Sequence, residues 1–144
     1  MMERVGLFIL ICLFCHVLDD FVLQVPILAR LKQKSWWEEQ FEPEELPHKY
    51  KYDYIPALML HAFSWAFMIH IPLMLYANVM MENFPYIFFI CSILAHAFIH
   101  GIIDHMKANV KVINLIVDQT FHVIQIIIAV EFVFMVICPP KVVG

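Results

Sequence analysis

The chain has 144 residues, of which 62% are apolar and only 15% charged, with a net charge of −4. A soluble domain is typically about 45–50% apolar and about 25% charged, so one domain of the membrane class is expected. The acidic balance and the lack of any basic block exclude a nucleic-acid-binding surface.

A helix needs about 20 apolar residues to cross a bilayer core. The first stretch that qualifies is Val5–Leu28, closed by Pro26. Its apolar run continues past Asp20 without a small-residue cleavage site, so it is expected to be a retained helix rather than a signal peptide. Inside it stands H-V-L-D-D-F-V-L-Q, residues 16–24. His16, Asp20 and Gln24 recur every four residues and share one helix face. Asp19 points about 100° away from that stripe and is expected to be peripheral. Cys12 and Cys15 have C-x-x-C spacing but no second pair to complete a zinc site. With Cys91 and Cys138 they read as inert packing cysteines.

The connection Ala29–Asp53 carries Trp36 and Trp37 among acids and bases, with His48, Pro43 and Pro47 further on. Ser35 is placed to cap a short helix containing Trp36 to Gln40. Paired tryptophans suit the headgroup zone. An interfacial helix or flap over the mouth of the bundle is expected.

The second span, Tyr54–Met81, carries His61. His70 lies nine residues on, across the helix, and is expected to have a structural role or to make a subunit contact. The third span, Pro85–Met106, carries His96, His100 and Asp104 at four-residue spacing, with Lys107 beyond as a snorkelling anchor. His105 points away from that stripe. The fourth span, Val112–Ile137, carries Asp118, Gln119, His122 and Gln125, and is stopped by Pro139-Pro140. Glu131 falls near its far end. Short turns join the last three spans, so the expected fold is all-α, an antiparallel four-helix transmembrane bundle in a single domain.

Seven Lys and Arg residues (Arg30, Lys32, Lys34, Lys49, Lys51, Lys107, Lys111) fall at one end of this bundle, against Arg4 and Lys141 at the other. The positive-inside rule puts the richer end in the cytoplasm and both termini outside, in a bacterial inner membrane. The polar residues of all four spans then fall at one depth, toward the cytoplasmic end. An aspartate at a span centre costs about 2.5–3.5 kcal/mol on insertion scales. Such groups must face one another, water or an ion. His16, Asp20, His61, His100, Asp104, Asp118 and His122 are the candidate metal ligands. Gln24 and Gln119 stand behind them, orienting an imidazole or a substrate, and His96 is a further ligand or relay one turn deeper. Mixed nitrogen and oxygen donors suit one or two divalent transition ions, zinc first, then manganese or iron.

The pieces His16-x3-Asp20-Phe21-x2-Gln24, Leu60-His61, His100-x3-Asp104-x2-Lys107 and Asp118-Gln119-x2-His122 together resemble a family of small bacterial and phage integral membrane proteins of unknown function. The resemblance runs from His16 to His122. It implies four spans and a metal-dependent membrane activity. The pattern is also distantly similar to inner-membrane metal-dependent hydrolases. The Trp-Trp connection departs from the family pattern and weakens any transfer of substrate.

Three functions fit. One is a metal-dependent hydrolase at the cytoplasmic leaflet, acting on a lipid head group or a lipid-linked phosphate, with Asp20 or Asp104 as catalytic base. The second is a proton or metal-ion transporter or channel. The third is a non-enzymatic module that binds another membrane protein. Self-association into a homo-oligomer suits any of them. No serine-hydrolase motif is present, and Ser64 and Ser92 lack histidine neighbours of the usual kind.

Overall fold

In the computed structural model, which describes residues 2–40 and 50–137, all regular structure is helical. Four stretches are long and apolar enough to cross a membrane: Met2–Leu23, Tyr54–Met80, Tyr86–Val110 and Leu115–Ile137. Helix α1 (Met2–Leu18) runs into a π-helical turn, Asp19–Leu23. Two short helices follow, α2 (Pro26–Leu31) and α3 (Lys34–Gln40). Then come α4 (Tyr54–Met80), α5 (Tyr86–His105) with a π-helical extension over Met106–Val110, and α6 (Leu115–Phe132) with another over Val133–Ile137. The all-α bundle closes through the contacts of α1 with α4 and α6, α4 with α5, and α5 with α6.

Of the expected boundaries that move, two do so for a clear local reason. The first span ends at Leu23 rather than Leu28. Gln24 and Val25 are extended, at ψ 97° and 146°. A residue before proline is pushed out of the helical region, and proline suits the first turn of a new helix. Pro26 therefore opens α2 instead of closing α1. The fourth span starts at Leu115 rather than Val112, because the Asn114 side chain accepts from the Val117 N–H at 3.0 Å and caps the helix. Ser35 does not begin α3 either. The helix starts at Lys34, whose N–H is taken by Asn109 Oδ1 at 2.6 Å. Pro43, Pro47, His48, Cys138 and the Pro139-Pro140 stop lie outside the described residues.

The bundle interior has two halves. One is apolar, built from residues such as Ile69, Leu73, Phe89, Ile126, Val130 and Phe134. The other holds most of the buried polar residues among those described: His16, Asp19, His61, His100, Asp104, Asp118 and His122. Outward positions such as Leu10, Phe14, Ile87, Leu94 and Ile116 are exposed apolar side chains, the pattern lipid contact requires. Among lipids, helices associate through close packing of small residues. Here Ala62 and Ala66 of α4 are buried with Ala97 and Gly101 of α5.

A Cβ on Gly101 would stand 3.1 Å from Met59 Sδ and 3.5 Å from Ala62 Cβ. Gly101→Ala is expected to cost less than about 1 kcal/mol, since the Met59 thioether is flexible. Gly101→Leu should cost about 1–3 kcal/mol by overpacking. It should also force apart His61 and His100, which meet across the same helix pair. Denaturation of both variants in detergent, beside wild type, checks the ordering.

Candidate metal centre

The end of α1 carries a histidine and two aspartates to the bundle interior, and the helix changes character there. The chain widens there to i→i+5 hydrogen bonding, with Gln24 N–H donating to Asp19 O at 2.9 Å. Asp19 and Asp20 both turn into the bundle. Asp19 is 2% exposed and accepts from Ser64 Oγ at 2.6 Å. Its Oδ2 lies 3.8 Å from His61 Nδ1. The expectation that Asp19 is peripheral is thus corrected: it stands three residues from His16 and seven from Cys12, the buried residues of α1, and α-helical spacing puts all three on the inward face. Asp20 reaches His61 Nε2 with Oδ1 at 3.5 Å and His16 Nδ1 with Oδ2 at 3.7 Å.

Both ring nitrogens of His16 are engaged. Trp65 Nε1–H donates to Nδ1 at 2.6 Å, so the imidazole proton sits on Nε2, where it donates to Gln119 Oε1 at 3.0 Å. The Gln119 amide in turn donates to Asp118 Oδ2 at 3.1 Å. A chain of hydrogen bonds thereby links α4, α1 and α6 and fixes the ring of His16 and the carboxylate of Asp118.

His61, His100 and His122 converge on Asp104 from three helices. His61 Nε2 lies 3.4 Å from His100 Nε2 and 3.5 Å from Asp104 Oδ2. Asp104 Oδ1 stands 3.9 Å from His100 Nε2 and 3.6 Å from His122 Nε2. Asp118 Oδ1 is 3.4 Å from His122 Nε2. Donors about 2.0–2.2 Å from one tetrahedral ion stand roughly 3.3–3.6 Å apart. Most of these separations fall in that range. Two sets have ligand atoms within 4.8 Å of one another and are able to hold a metal ion: Asp20, His61 and His100, and His100, Asp104 and His122. Asp20 Oδ1, Asp118 Oδ1 and both nitrogens of His122 are buried with no hydrogen-bond partner among the described residues. Buried polar atoms are rarely left so. A cation among them would satisfy several at once.

Trp65, fully buried, forms the floor of this cluster. Its ring stacks on His100 at 4.2 Å between centroids, and His100 stacks on His122 at 4.2 Å. Trp65 was missed at the level of sequence, where a tryptophan in an apolar run reads as packing, although it sits four residues from His61 on the same helix face.

Two lysines complete the layer. Lys32, at the end of α2, places Nζ 2.7 Å from Asp104 Oδ2. Lys107 places Nζ 2.6 Å from Asp118 Oδ2. Lys107 is thus an ion-pair partner of the cluster rather than only an anchor, on the face that its spacing of three from Asp104 already gives it. Gln24 takes no part in the histidine network. It lines a cavity of about 400 Å³ with Lys32, Gln33, Asp104 and Lys107, at the end where Met2–Leu23 and Tyr86–Val110 finish.

His96 belongs to neither set. Its Nδ1–H donates to Ser92 O at 2.9 Å, and its ring lies 5.1 Å from that of His70. His70 Nδ1–H donates to Ala66 O at 2.7 Å, leaving Nε2 to accept from Ser92 Oγ at 2.8 Å. Ser92 therefore does have histidine partners: His70 from the neighbouring helix and His96 one turn along its own. His105 stacks on Tyr54 instead of joining the cluster. The cysteines among the described residues are free, and Cys12 Sγ bonds Ile69 O at 3.3 Å. Comparison with family models, with curated proteins and with solved structures returns no match, so the geometry of the centre itself carries the functional reading.

Proposed function

We propose that this chain is an integral membrane hydrolase dependent on a divalent transition metal. Its substrate is a lipid head group or a lipid-linked phosphate at the cytoplasmic leaflet. The observation that carries the proposal is the convergence of Asp20, His61, His100, Asp104 and His122, from four helices, at ligand-to-ligand separations of 3.4–3.9 Å. A bound ion would supply Lewis acidity and lower the pKa of a water. The chain's own residues do the rest. His16 and Gln119 hold the carboxylates and rings in place. With an ion held by His100, Asp104 and His122, Asp20 Oδ1 would stay free to take a proton from water. The cavity beside Asp104 gives a head group access from the bundle end, while the apolar half seals the site from the opposite side. The resemblance to small membrane proteins with the same His and Asp spacing is in line with this reading.

The test is elemental analysis of the detergent-purified protein together with phosphate release from phosphorylated lipids. About one or two zinc, manganese or iron ions per chain are expected, with turnover lost on chelation and restored by the metal. A preparation without stoichiometric metal, and with none taken up on titration, would falsify the proposal.

One observation favours an ion pathway as the second reading. His70, Ser92 and His96 form a further hydrogen-bonded cluster toward the other end, and both amide atoms of the buried Gln125 lack partners among the described residues. Polar groups continuing across a membrane are a transporter's signature. Metal- or pH-driven flux in liposomes, abolished by His70→Leu, would support that reading over hydrolysis.

A further inference from the structure

We infer that Lys32, Lys107 and Gln24 form an anion site for a phosphate group at the mouth of the polar layer. The inference deepens the hydrolase reading and rests on it for the metal beside the site.

The cavity they line, about 400 Å³, is large against the roughly 30 Å³ share of one water in liquid. Its polar wall is mostly made of donors. An ammonium has three N–H donors. Among the described residues Lys32 engages one, on Asp104, and Lys107 one, on Asp118. Gln24 Nε2 is buried with no partner. Gln33 turns its amide N–H back onto Ala29 O at 2.9 Å. The one carboxylate on the wall, Asp104, is already held by Lys32. A tetrahedral phosphate has the acceptor oxygens these three residues lack.

Lys32 is also fixed in place. The Asn109 amide donates to Lys32 O at 3.1 Å and accepts from the Lys34 N–H at 2.6 Å, so one side chain clamps the turn between α2 and α3 onto the end of α5. Holding a donor in its bound position reduces the ordering cost of binding. Charge points the same way. The layer has four carboxylates, Asp19, Asp20, Asp104 and Asp118, against the ammonium groups of Lys32 and Lys107. With neutral imidazoles two negative charges are left over, and one divalent ion neutralises them. Once an ion holds Asp104, Lys32 is no longer its only counter-charge. Phosphate binding should therefore depend on metal.

The test titrates inorganic phosphate into the zinc-loaded and the chelated full chain in detergent, by calorimetry, with metal content measured on the same samples. Wild type should bind phosphate when zinc-loaded and at least about tenfold more weakly when chelated. Lys32→Gln and Lys107→Gln should each weaken binding about 10- to 100-fold, the span of one charge-assisted hydrogen bond, with metal retained. Lys32→Arg, which keeps the charge, should stay near wild type, and Lys111→Gln is the surface control. A second arm asks which phosphate is held, by competition with nanodiscs of phosphatidylcholine with or without phosphatidic acid. Displacement by phosphatidic acid alone assigns a lipid phosphate monoester. No displacement by either assigns a soluble one. Metal-loaded protein whose phosphate affinity ignores both lysines overturns the anion site. A chain that holds no metal yet binds phosphate through both lysines sinks the hydrolase and leaves the anion site standing.

Discussion

Asp104→Ala should strongly weaken metal binding in a chain that still folds. Among the described residues, Asp104 is the carboxylate that faces His61, His100 and His122 together, with Oδ2 3.5 Å from His61 and Oδ1 3.9 and 3.6 Å from His100 and His122. Losing a residue that merely orients a ligand costs about 10–100-fold in affinity. Losing a shared ligand should cost more, so zinc affinity is expected to fall by at least about 100-fold. Stability changes for a different reason. Without Asp104, Lys32 has no carboxylate partner at 2.7 Å. Breaking a fully buried pair costs about 3–5 kcal/mol. Lys32 borders an open cavity and can regain water, so about 1–3 kcal/mol is expected. Adding Lys32→Met to Asp104→Asn should recover that stability, since an apolar pair tolerates the site, while metal binding stays weakened. Competition against a coloured zinc chelator, with thermal unfolding on the same samples, separates the two effects. Wild-type zinc stoichiometry in Asp104→Ala would remove Asp104 from the centre.

Much of this site was legible because helical periodicity is strict. His16 and Asp20, His100 and Asp104, and Asp118 and His122 are pairs four residues apart, and an α-helix puts such pairs on one face whatever surrounds them. Their common depth followed from the order of the helices. The parts that were not legible share a physical cause: they depend on departures from α geometry or on packing between helices. Asp19 is the exception: its spacing of three from His16 and seven from Cys12 was a legible same-face signal, passed over because the stripe was centred on Asp20 and Gln24. Lys32 reaches Asp104 only because the chain leaves the helix at Gln24 and returns over the mouth as α2. Lys107 pairs with Asp118 across two helices, a contact that only packing reveals. Ser92 looked isolated because its main partner, His70, lies on another helix. The His96 neighbour at four-residue spacing was the available signal.

Trp65 shows how far a packing residue can govern the chemistry beside it, and Trp65→Phe isolates that influence. The substitution keeps an aromatic ring against His100 but removes the Nε1–H that donates to His16 Nδ1 at 2.6 Å. That bond sets the proton of His16 on Nε2, and the proton on Nε2 is what reaches Gln119. Without it, the proton is free to sit on Nδ1, facing Asp20 Oδ2 at 3.7 Å, and the links to Gln119 and Asp118 loosen. Metal affinity should fall about 10–100-fold, as for other groups that orient ligands, with a stability loss of only about 0.5–1.5 kcal/mol for one hydrogen bond. Trp65→Ala should differ in kind. It empties a fully buried site at the junction of three helices, where a truncated tryptophan costs about 3–5 kcal/mol. If Trp65 orients His16, the Phe variant has a large affinity change and a small stability change. If it only fills space, its zinc affinity equals that of wild type and the Ala variant alone is impaired. Chelator competition and denaturation on both variants decide between them, because the two roles predict opposite rankings of affinity loss against stability loss.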